Sequence, residues 1–206
     1  MQFVDLGLMK FSEALLYQKK AVISISNQEG PETVYLLEHP HVFTTGRLVK
    51  KKILIKNNWN GNLISPISVN RGGDITYHGP GQLMGYVHLD LRRRKRDVHS
   101  FLRNLELSLI LTVRKLGVNA YCKIGSTGVW SDEGKLASIG VGVRRWITMH
   151  GFALNIQTNL RYFQSINPCG LPNCPMTSLD LILKHSVSMD KVKNLFRDSC
   201  REVFSD

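Results

Sequence analysis

Apolar and polar positions alternate in short runs over much of the chain, and longer stretches follow a helical period. The clearest helical stripe follows Asp97 and closes at Gly117, with apolar residues at spacings of three and four: Val98, Leu102, Leu105, Leu109, Val113 and Leu116. This stripe predicts a helix that packs on a sheet. Helices are also predicted over residues 12–25, with Ser12 as a weak N-cap, and over residues 191–203.

The strand-like runs predict a sheet with mixed strand directions. Runs rich in β-forming or alternating residues cover positions 3–6, 33–37, 86–91 and 152–156. From Gly128 onward, two such runs flank a turn at residues 132–134, which predicts a hairpin of residues 129–130 with 135–143. Prolines at positions 168, 172 and 175 predict a loop. We therefore predict an α/β (α+β) fold, a single mixed-sheet domain.

Chain length and net charge favour a single-domain protein that binds acidic partners. A chain of 206 residues favours one domain with a substantial core. The formal net charge of +11 predicts attraction to acidic partners. The densest basic run, at residues 92–96, has no interleaved aromatic residues, and no finger, helix-turn-helix or ribonucleoprotein signature accompanies it, so nucleic acid is disfavoured as a partner.

The apolar and cysteine contents predict a soluble, cytoplasmic protein. No segment approaches the ~20 apolar residues that span a bilayer, and Asp5 interrupts any leader at the amino terminus, so no membrane contact is expected. The four cysteines, at positions 122, 169, 174 and 200, are too irregular for a disulfide framework. Four residues separate Cys169 from Cys174 and no second pair follows, so no metal is expected.

The densest polar motif is RGGDITYHGPGQ, residues 71–82. Its glycines permit sharp turns and a close approach of backbone amides to a ligand, while Arg71 and His78 supply charge or hydrogen bonds. The spacing matches neither the phosphate-loop pattern nor the dinucleotide fingerprint. Taken alone, the motif also fits two turns around a strand at residues 74–77.

Cys169 and Lys135 are candidates for a nucleophilic pair. Cys169 lies between a proline and a glycine, although a lone loop cysteine is more often inert. Lys135 begins a β-like run whose apolar neighbours could lower its pKa, although a lone lysine at a hairpin turn is usually just solvated. If folding brings them together, the cation favours the thiolate, the nucleophilic form that suits thioester chemistry.

Two further features have open interpretations. His150 is as consistent with a structural hydrogen-bonding histidine as with a catalytic one. Ser138, Gly140 and Gly142 alternate onto one face of their strand and leave little side-chain bulk there. That face could admit an acyl chain or the backbone of another segment.

The combined motifs resemble the lipoyl(octanoyl) transferase family. The resemblance rests on RGGDITYHGPGQ, on GVW at residues 128–130 followed by Lys135, on ASIG at 137–140, on HGFALN at 150–155 and on PCG at 168–170. It extends over about residues 31–180, the expected transferase core. It implies the fold of the biotin and lipoate protein ligase catalytic domains, here as a single catalytic domain over residues 1–206.

The resemblance also implies a reaction and a site. The octanoyl group would pass from acyl carrier protein to a lysine on a lipoyl domain of a 2-oxoacid dehydrogenase or on the glycine cleavage H protein, with no cofactor. Cys169 would form the acyl-thioester and Lys135 would lower its pKa, with His150 as a possible auxiliary group. The implied substrate-binding residues are Arg71, Gly72, Gly73, Asp74, Ile75, Thr76, Tyr77, His78, Ser138, Ile139, Gly140, Gly151, Phe152 and Ala153.

Alternatives and one departure remain at this point. An ATP-dependent lipoate or biotin-type protein ligase would need no catalytic cysteine, and a non-catalytic relative would only bind carrier or lipoyl domains. Met149 stands where the family often has histidine, which puts a two-histidine proton relay in doubt. The basic segments 50–52 and 92–96 are candidate docking patches for acidic partners.

Overall fold

A mixed seven-stranded sheet lies at the centre of the fold. The computed structural model describes residues 1–49, 55–56, 63–166 and 174–205. The strands are β1 (Gln2–Leu8), β2 (Thr33–Glu38), β3 (Val42–Thr45), β4 (Ile55–Lys56), β5 (Leu63–Ile64), β6 (Ile67–Ser68), β7 (Ile75–His78), β8 (Gln82–His88), β9 (Tyr121–Lys123), β10 (Ser126–Ser131), β11 (Gly134–Arg144) and β12 (Ile147–Asn155). The helices are α1 (Phe11–Ser26), α2 (Val98–Arg114), α3 (Leu179–Leu183) and α4 (Met189–Phe204), with 3-10 turns at Leu91–Arg93 and Leu160–Ser165.

The large sheet has the strand order β1-β2-β8-β12-β11-β10-β9. β1 and β2 are parallel, and each of the other neighbouring pairs is antiparallel. The predicted hairpin over residues 129–143 is confirmed as β10 and β11. The predicted strand at 86–91 lies earlier, as β8, and the chain turns after it at Leu91–Arg93. The predicted mixed-sheet fold is confirmed.

The main core lies between the large sheet and helices α2 and α4. Its members include Leu105 and Leu109 of α2 and Phe196 of α4, which pack against sheet residues such as Phe152 and Leu154. The stripe predicted after Asp97 is therefore the buried face of α2. Asp97 caps this helix, because its carboxylate accepts hydrogen bonds from the backbone N–H groups of His99 and Ser100 at 2.8 and 3.1 Å.

Helix α1 covers the opposite face of the same sheet. Phe11 and Ala14 pack with Leu37, Met84 and Ala153. The predicted cap at Ser12 is wrong, because the helix already begins at Phe11 with Lys10 in the capping position. Lys10 provides no side-chain cap, so the start of α1 depends on the burial of Phe11 rather than on capping.

A smaller three-stranded sheet, β6-β3-β7, lies beside the large one. Tyr77 of β7 stacks on Tyr162 at 4.5 Å between ring centroids and packs with Phe43 and Phe163. The strand proposed for residues 74–77 is thus present as β7. None of the helices in the described ranges is long and apolar enough to cross a membrane. The loop predicted around Pro168 and Pro172 lies outside the described residues.

Candidate active site

A cavity of about 580 Å³ brings together most of the predicted site residues. This volume is in the usual range for small-molecule sites, roughly 300–1,000 Å³. The predicted residues on its wall are Arg71, Gly72, Gly73, Asp74, Ile75, Thr76, His78, Lys135, Ser138, Ile139, Gly140, His150, Gly151, Phe152 and Ala153. Residues about 60 positions apart in sequence therefore face one space, because the segment just before β7 packs on β11, where the Gly72 N–H donates to the Val141 carbonyl at 2.8 Å.

One predicted site residue, Tyr77, is not among the described residues that line the cavity. Tyr77 is fully buried in the aromatic cluster with Tyr162 and Phe163, because alternation along β7 sends it away from its neighbours Thr76 and His78. Cys169 lies outside the described residues, as do the lysines at positions 50–52.

Lys135 is buried at the start of β11, with only 2% of its surface exposed. Its Nζ lies 5.1 Å from the ring centroid of Trp130, within cation–π range. A side chain at Gly128 would collide with it, because a Cβ there would lie 2.7 Å from Lys135 Cε. Gly128 also has a φ of +134°, which only glycine adopts readily. The GVW motif thus shapes the space for the lysine.

The main chain of Lys135 is held by residues 175–177, which begin shortly after the predicted cysteine loop. The Lys135 N–H donates to the Pro175 carbonyl at 2.8 Å, and the Thr177 N–H donates to the Lys135 carbonyl at 3.0 Å. The chain therefore returns from the cysteine segment directly to the lysine. This is the nearest connection that the described residues give between the two members of the predicted pair.

The face of β11 that carries Ser138, Gly140 and Gly142 packs against the backbone of residues 70–72 and also forms part of the cavity wall. A Cβ at Gly142 would lie 2.4 Å from the Asn70 carbonyl oxygen, and one at Gly140 would lie 3.0 Å from the Gly72 carbonyl oxygen. The Gly72 N–H donates to the Val141 carbonyl at 2.8 Å, which fixes this approach. The sequence left open whether this face admits an acyl chain or the backbone of another segment. At Gly142 it admits backbone, while Ser138 and Gly140 also line the cavity.

Arg71 is oriented by the small sheet. Its Nη2 donates to the Thr44 carbonyl and to Thr44 Oγ1, both at 2.9 Å, and its Nη1 donates to the Gly72 carbonyl at 3.0 Å. The side chain is only 8% exposed. A buried guanidinium held in this way keeps a fixed positive charge beside the cavity.

The histidines of the site are uncharged at neutral pH. Burial, with the nearby His39 and the charge of Arg71, lowers the pKa of His78 to about 3. Burial, with the charges of Arg71 and Arg47, lowers the pKa of His150 to about 4. The His150 N–H donates to Gln18 Oε1 at 2.9 Å, which ties its backbone to α1.

Several cavity residues were missed in the sequence. The apolar members Phe11, Met84 and Tyr86 come from α1 and β8. The others are Arg47, Leu48, Val98, Leu102, Gly125, Ser126 and Thr127, together with Val141 and Val143 of β11. Alternation along residues 82–88 places Met84 and Tyr86 on one face, which was a usable signal. No local pattern marks Phe11 as a cavity residue, because its approach depends on the packing of α1.

Three arginines of the basic segment 92–96 form ion pairs with acidic residues of this chain. Arg92 and Arg93 contact Asp90 at 2.8 and 3.7 Å. Arg94 bonds both carboxylate oxygens of Glu32, at 2.5 and 3.0 Å. These pairs reduce the charge that the predicted docking patch presents to a partner.

Comparison with known proteins identifies the class to which this site belongs. The family model for the lipoyl protein ligase A/B catalytic domain matches residues 10–201. An octanoyltransferase from Geotalea uraniireducens is 48% identical over 197 residues, covering 94% of this chain and 88% of the relative. An octanoyltransferase from Geobacter metallireducens has the same identity and coverage.

Solved structures share the fold at low sequence identity. A lipoate-protein ligase A bound with ATP superposes with a TM-score of 0.78 at 16% identity, covering 99% of this chain and 85% of that one. A bipartite lipoate protein ligase from Thermoplasma acidophilum, studied with its E2 lipoyl domain, gives 0.73 at 18% identity, covering 99% and 83%. A biotin protein ligase from Aquifex aeolicus with biotin and ATP gives 0.59 at 13%, covering 99% and 70%.

The fold is therefore the one shared by lipoate and biotin protein ligases, as predicted. The chain belongs to the lipoyl protein ligase A/B catalytic-domain family, and both relatives compared above, at 48% identity, are octanoyltransferases.

Proposed function

We propose that this chain is an octanoyltransferase of protein lipoylation that carries the octanoyl group on Cys169 and uses Lys135 to keep the sulfur ionised. Homologues of that name, 48% identical over 94% of the chain, support octanoyl transfer as the activity. The observation that carries the site assignment is the buried Lys135 on the wall of the cavity that also holds residues of the 71–78 and 150–153 motifs. We take the whole chain as one catalytic domain, with its core at about residues 31–180.

The proposed reaction consists of two acyl transfers. In the first, the Cys169 thiolate attacks the carbonyl of the donor thioester, the carrier C–S bond breaks, and the carrier leaves as a thiol after taking a proton. In the second, the acceptor lysine amine attacks the enzyme thioester, an amide forms, and the Cys169 thiolate is released while the amine loses a proton. The first step exchanges one thioester for another of similar energy, so the mechanism needs no nucleotide.

Lys135 has the environment that this role requires. A positive charge next to a thiol lowers the thiol pKa, and the effect grows where water is excluded. Lys135 is almost completely buried, and the Trp130 ring and the absence of a side chain at Gly128 keep its ammonium in place. In the second transfer, Lys135 would also pass protons between the sulfur and the attacking amine.

The cavity has surfaces suited to an acyl thioester. Phe11, Met84 and Ala153 pack together in an apolar cluster and line the cavity, which suits a hydrocarbon chain. Arg71 and the backbone amides of the glycine-rich motif supply polar groups. An oxyanion donor there would contribute roughly 3 kcal/mol to each tetrahedral intermediate.

The proposed partners are acyl carrier protein as donor and lipoyl domains of 2-oxoacid dehydrogenases or the glycine cleavage H protein as acceptors. A formal charge of +11 favours association with acidic proteins. Within residues 92–96, ion pairs engage the first three arginines, so Lys95 and Arg96 are the stronger docking candidates. The cytoplasm is the predicted setting.

Intact-mass spectrometry tests the proposal directly. Wild-type protein incubated with octanoyl-acyl carrier protein should gain one octanoyl group, and the Cys169→Ala variant should gain none. Cys174→Ala, a neighbouring cysteine variant, should acylate like wild type. Acylation that persists in Cys169→Ala would refute the assignment. Octanoyl transfer by that variant when given ATP and free octanoate would instead establish a ligase.

A further inference from the structure

A continuous line of buried polar side chains joins the cavity to the segment beside Lys135. Five hydrogen bonds of 2.8 to 3.2 Å connect, in order, Arg71 Nη2, Thr44 Oγ1, the His78 ring, the Gln82 amide, the Asn155 amide and the Thr177 carbonyl. The most exposed of the six residues, Arg71, is only 8% exposed. The sequence motifs contain Gln82 and Asn155, yet neither is among the cavity-lining residues.

The two ends of this line fix the direction of its hydrogen bonds. The Thr177 carbonyl can only accept, so Asn155 Nδ2 donates to it at 2.9 Å, and Asn155 Oδ1 accepts from Gln82 Nε2 at 2.8 Å. Gln82 Oε1 must then accept from His78 Nδ1, at 3.0 Å. At the other end, the guanidinium of Arg71 can only donate, so Thr44 Oγ1 accepts from it.

His78 links the two halves, and its tautomer follows from its neighbours. Its Nδ1 carries the proton donated to Gln82, and its Nε2 accepts the Thr44 hydroxyl proton at 3.2 Å. Both ring nitrogens are therefore engaged in the neutral ring. A histidine in this state has no free nitrogen to act as general base or oxyanion donor without breaking the line.

The far end of the line holds the backbone that pairs with Lys135. Residues 175–177 bond the Lys135 N–H and carbonyl on one side, and the Asn155 amide bonds the Thr177 carbonyl on the other. The position of the lysine main chain is therefore coupled to the side chain of Asn155. Through Gln82 and His78, it is coupled to the arginine of the cavity.

We propose that Gln82 and Asn155 are positioning residues for Lys135, and that His78 is a structural link in this line rather than an acid–base group. This inference rests on the proposed function of Lys135. Displacing a reacting group by about 1 Å can cost on the order of 100-fold in rate. The turnover number should therefore depend on side chains that contact neither the acyl group nor the sulfur.

An isosteric substitution tests the direction of the line. Asn155→Asp keeps the acceptor for Gln82 but presents a second acceptor to the Thr177 carbonyl, so this contact becomes repulsive. We expect kcat for octanoyl transfer to fall by on the order of 100-fold, with KM for the octanoyl carrier little changed. The matched control is Asn159→Asp, because Asn159 Oδ1 accepts from the Arg161 N–H at 3.2 Å and a carboxylate does the same. This control should keep wild-type kcat.

Two further measurements keep the inference testable if Asn155→Asp does not fold. Nitrogen-15 NMR of the wild-type histidine side chains should show the His78 proton on Nδ1. Thr44→Val should lower kcat, and Thr44→Ser, which keeps the hydroxyl, should restore it. A proton on Nε2, or a folded Asn155→Asp with kcat within two-fold of wild type, would overturn the inference. If wild type forms no octanoyl adduct at Cys169, the proposed function fails, while the NMR result still decides the tautomer.

Discussion

Three buried histidines should make the folded protein lose stability in mild acid, at pH values well above the pKa values of most carboxyl groups. Burial lowers the pKa of His78 to about 3 and the pKa values of His88 and His150 to about 4, from 6.5 in the unfolded chain. Their folded-state pKa values are depressed, so the unfolded chain binds more protons below pH 6.5. The contribution of these neutral histidines to the free energy of unfolding is therefore fully present above pH 6.5 and is lost as the pH falls toward 4.

The expected loss is large relative to the stability of a small domain. Each histidine contributes a slope of about 1.4 kcal/mol per pH unit between its folded and unfolded pKa values. At pH 5 this amounts to about 2 kcal/mol per histidine and about 6 kcal/mol for the three, against a typical total of 5–15 kcal/mol. The domain should thus lose a large share of its stability between pH 7 and pH 5.

Urea unfolding followed by circular dichroism between pH 7.5 and pH 5 measures this slope. His88→Asn should reduce the slope by about 1.4 kcal/mol per pH unit, because asparagine can still donate to the Thr148 carbonyl but does not titrate. His99→Asn, at an exposed position, is the control and should leave the slope unchanged. Stability that stays flat from pH 7 to pH 5, or an unchanged slope in His88→Asn, would refute the reasoning.

Two further substitutions test the packing of the site. Gly142→Ala should destabilise the fold by about 1–3 kcal/mol in urea unfolding, because its Cβ would lie 2.4 Å from the Asn70 carbonyl oxygen. Gly72→Ala, whose nearest contact would be 3.5 Å, is the control, and equal losses in both would contradict this account. Ala153→Leu should fill the apolar part of the cavity and slow octanoyl transfer about tenfold more than butanoyl transfer. Equal slowing of both transfers would show that the acyl chain does not lie there.

Local sequence patterns predicted the helices and strands that short-range periodicity and turn residues determine. The spacing of Leu102, Leu105 and Leu109 after Asp97 predicted α2, and the turn at residues 132–134 predicted the β10–β11 hairpin. Strands β3 and β6 were missed because they are short and are ordered by pairing with β7 and with each other. Short runs of this kind carry no periodicity that distinguishes them from loops.

The candidate site likewise contains residues that local motifs identified and residues whose position depends on tertiary packing. The motifs identified Arg71 and Lys135, and folding brings both to one cavity. They did not show that Tyr77 faces an aromatic cluster, nor that Phe11 approaches the cavity, because both facts depend on which elements pack together. The hydrogen-bonded line through Gln82 and Asn155 spans 73 sequence positions in one step, which no local spacing predicts.

We propose that the Lys135 ammonium keeps the Cys169 sulfur ionised, and the pH dependence of thiol alkylation at Cys169 reports on this pairing. Iodoacetamide labelling of Cys169, quantified by peptide mapping, should reach half its maximal rate near neutral pH in wild type and well above it in Lys135→Met. Burial raises the pKa of Cys122 to about 11 and that of Cys200 to about 12, so both should react slowly and serve as internal references. Identical profiles for Cys169 in the two proteins would contradict the account.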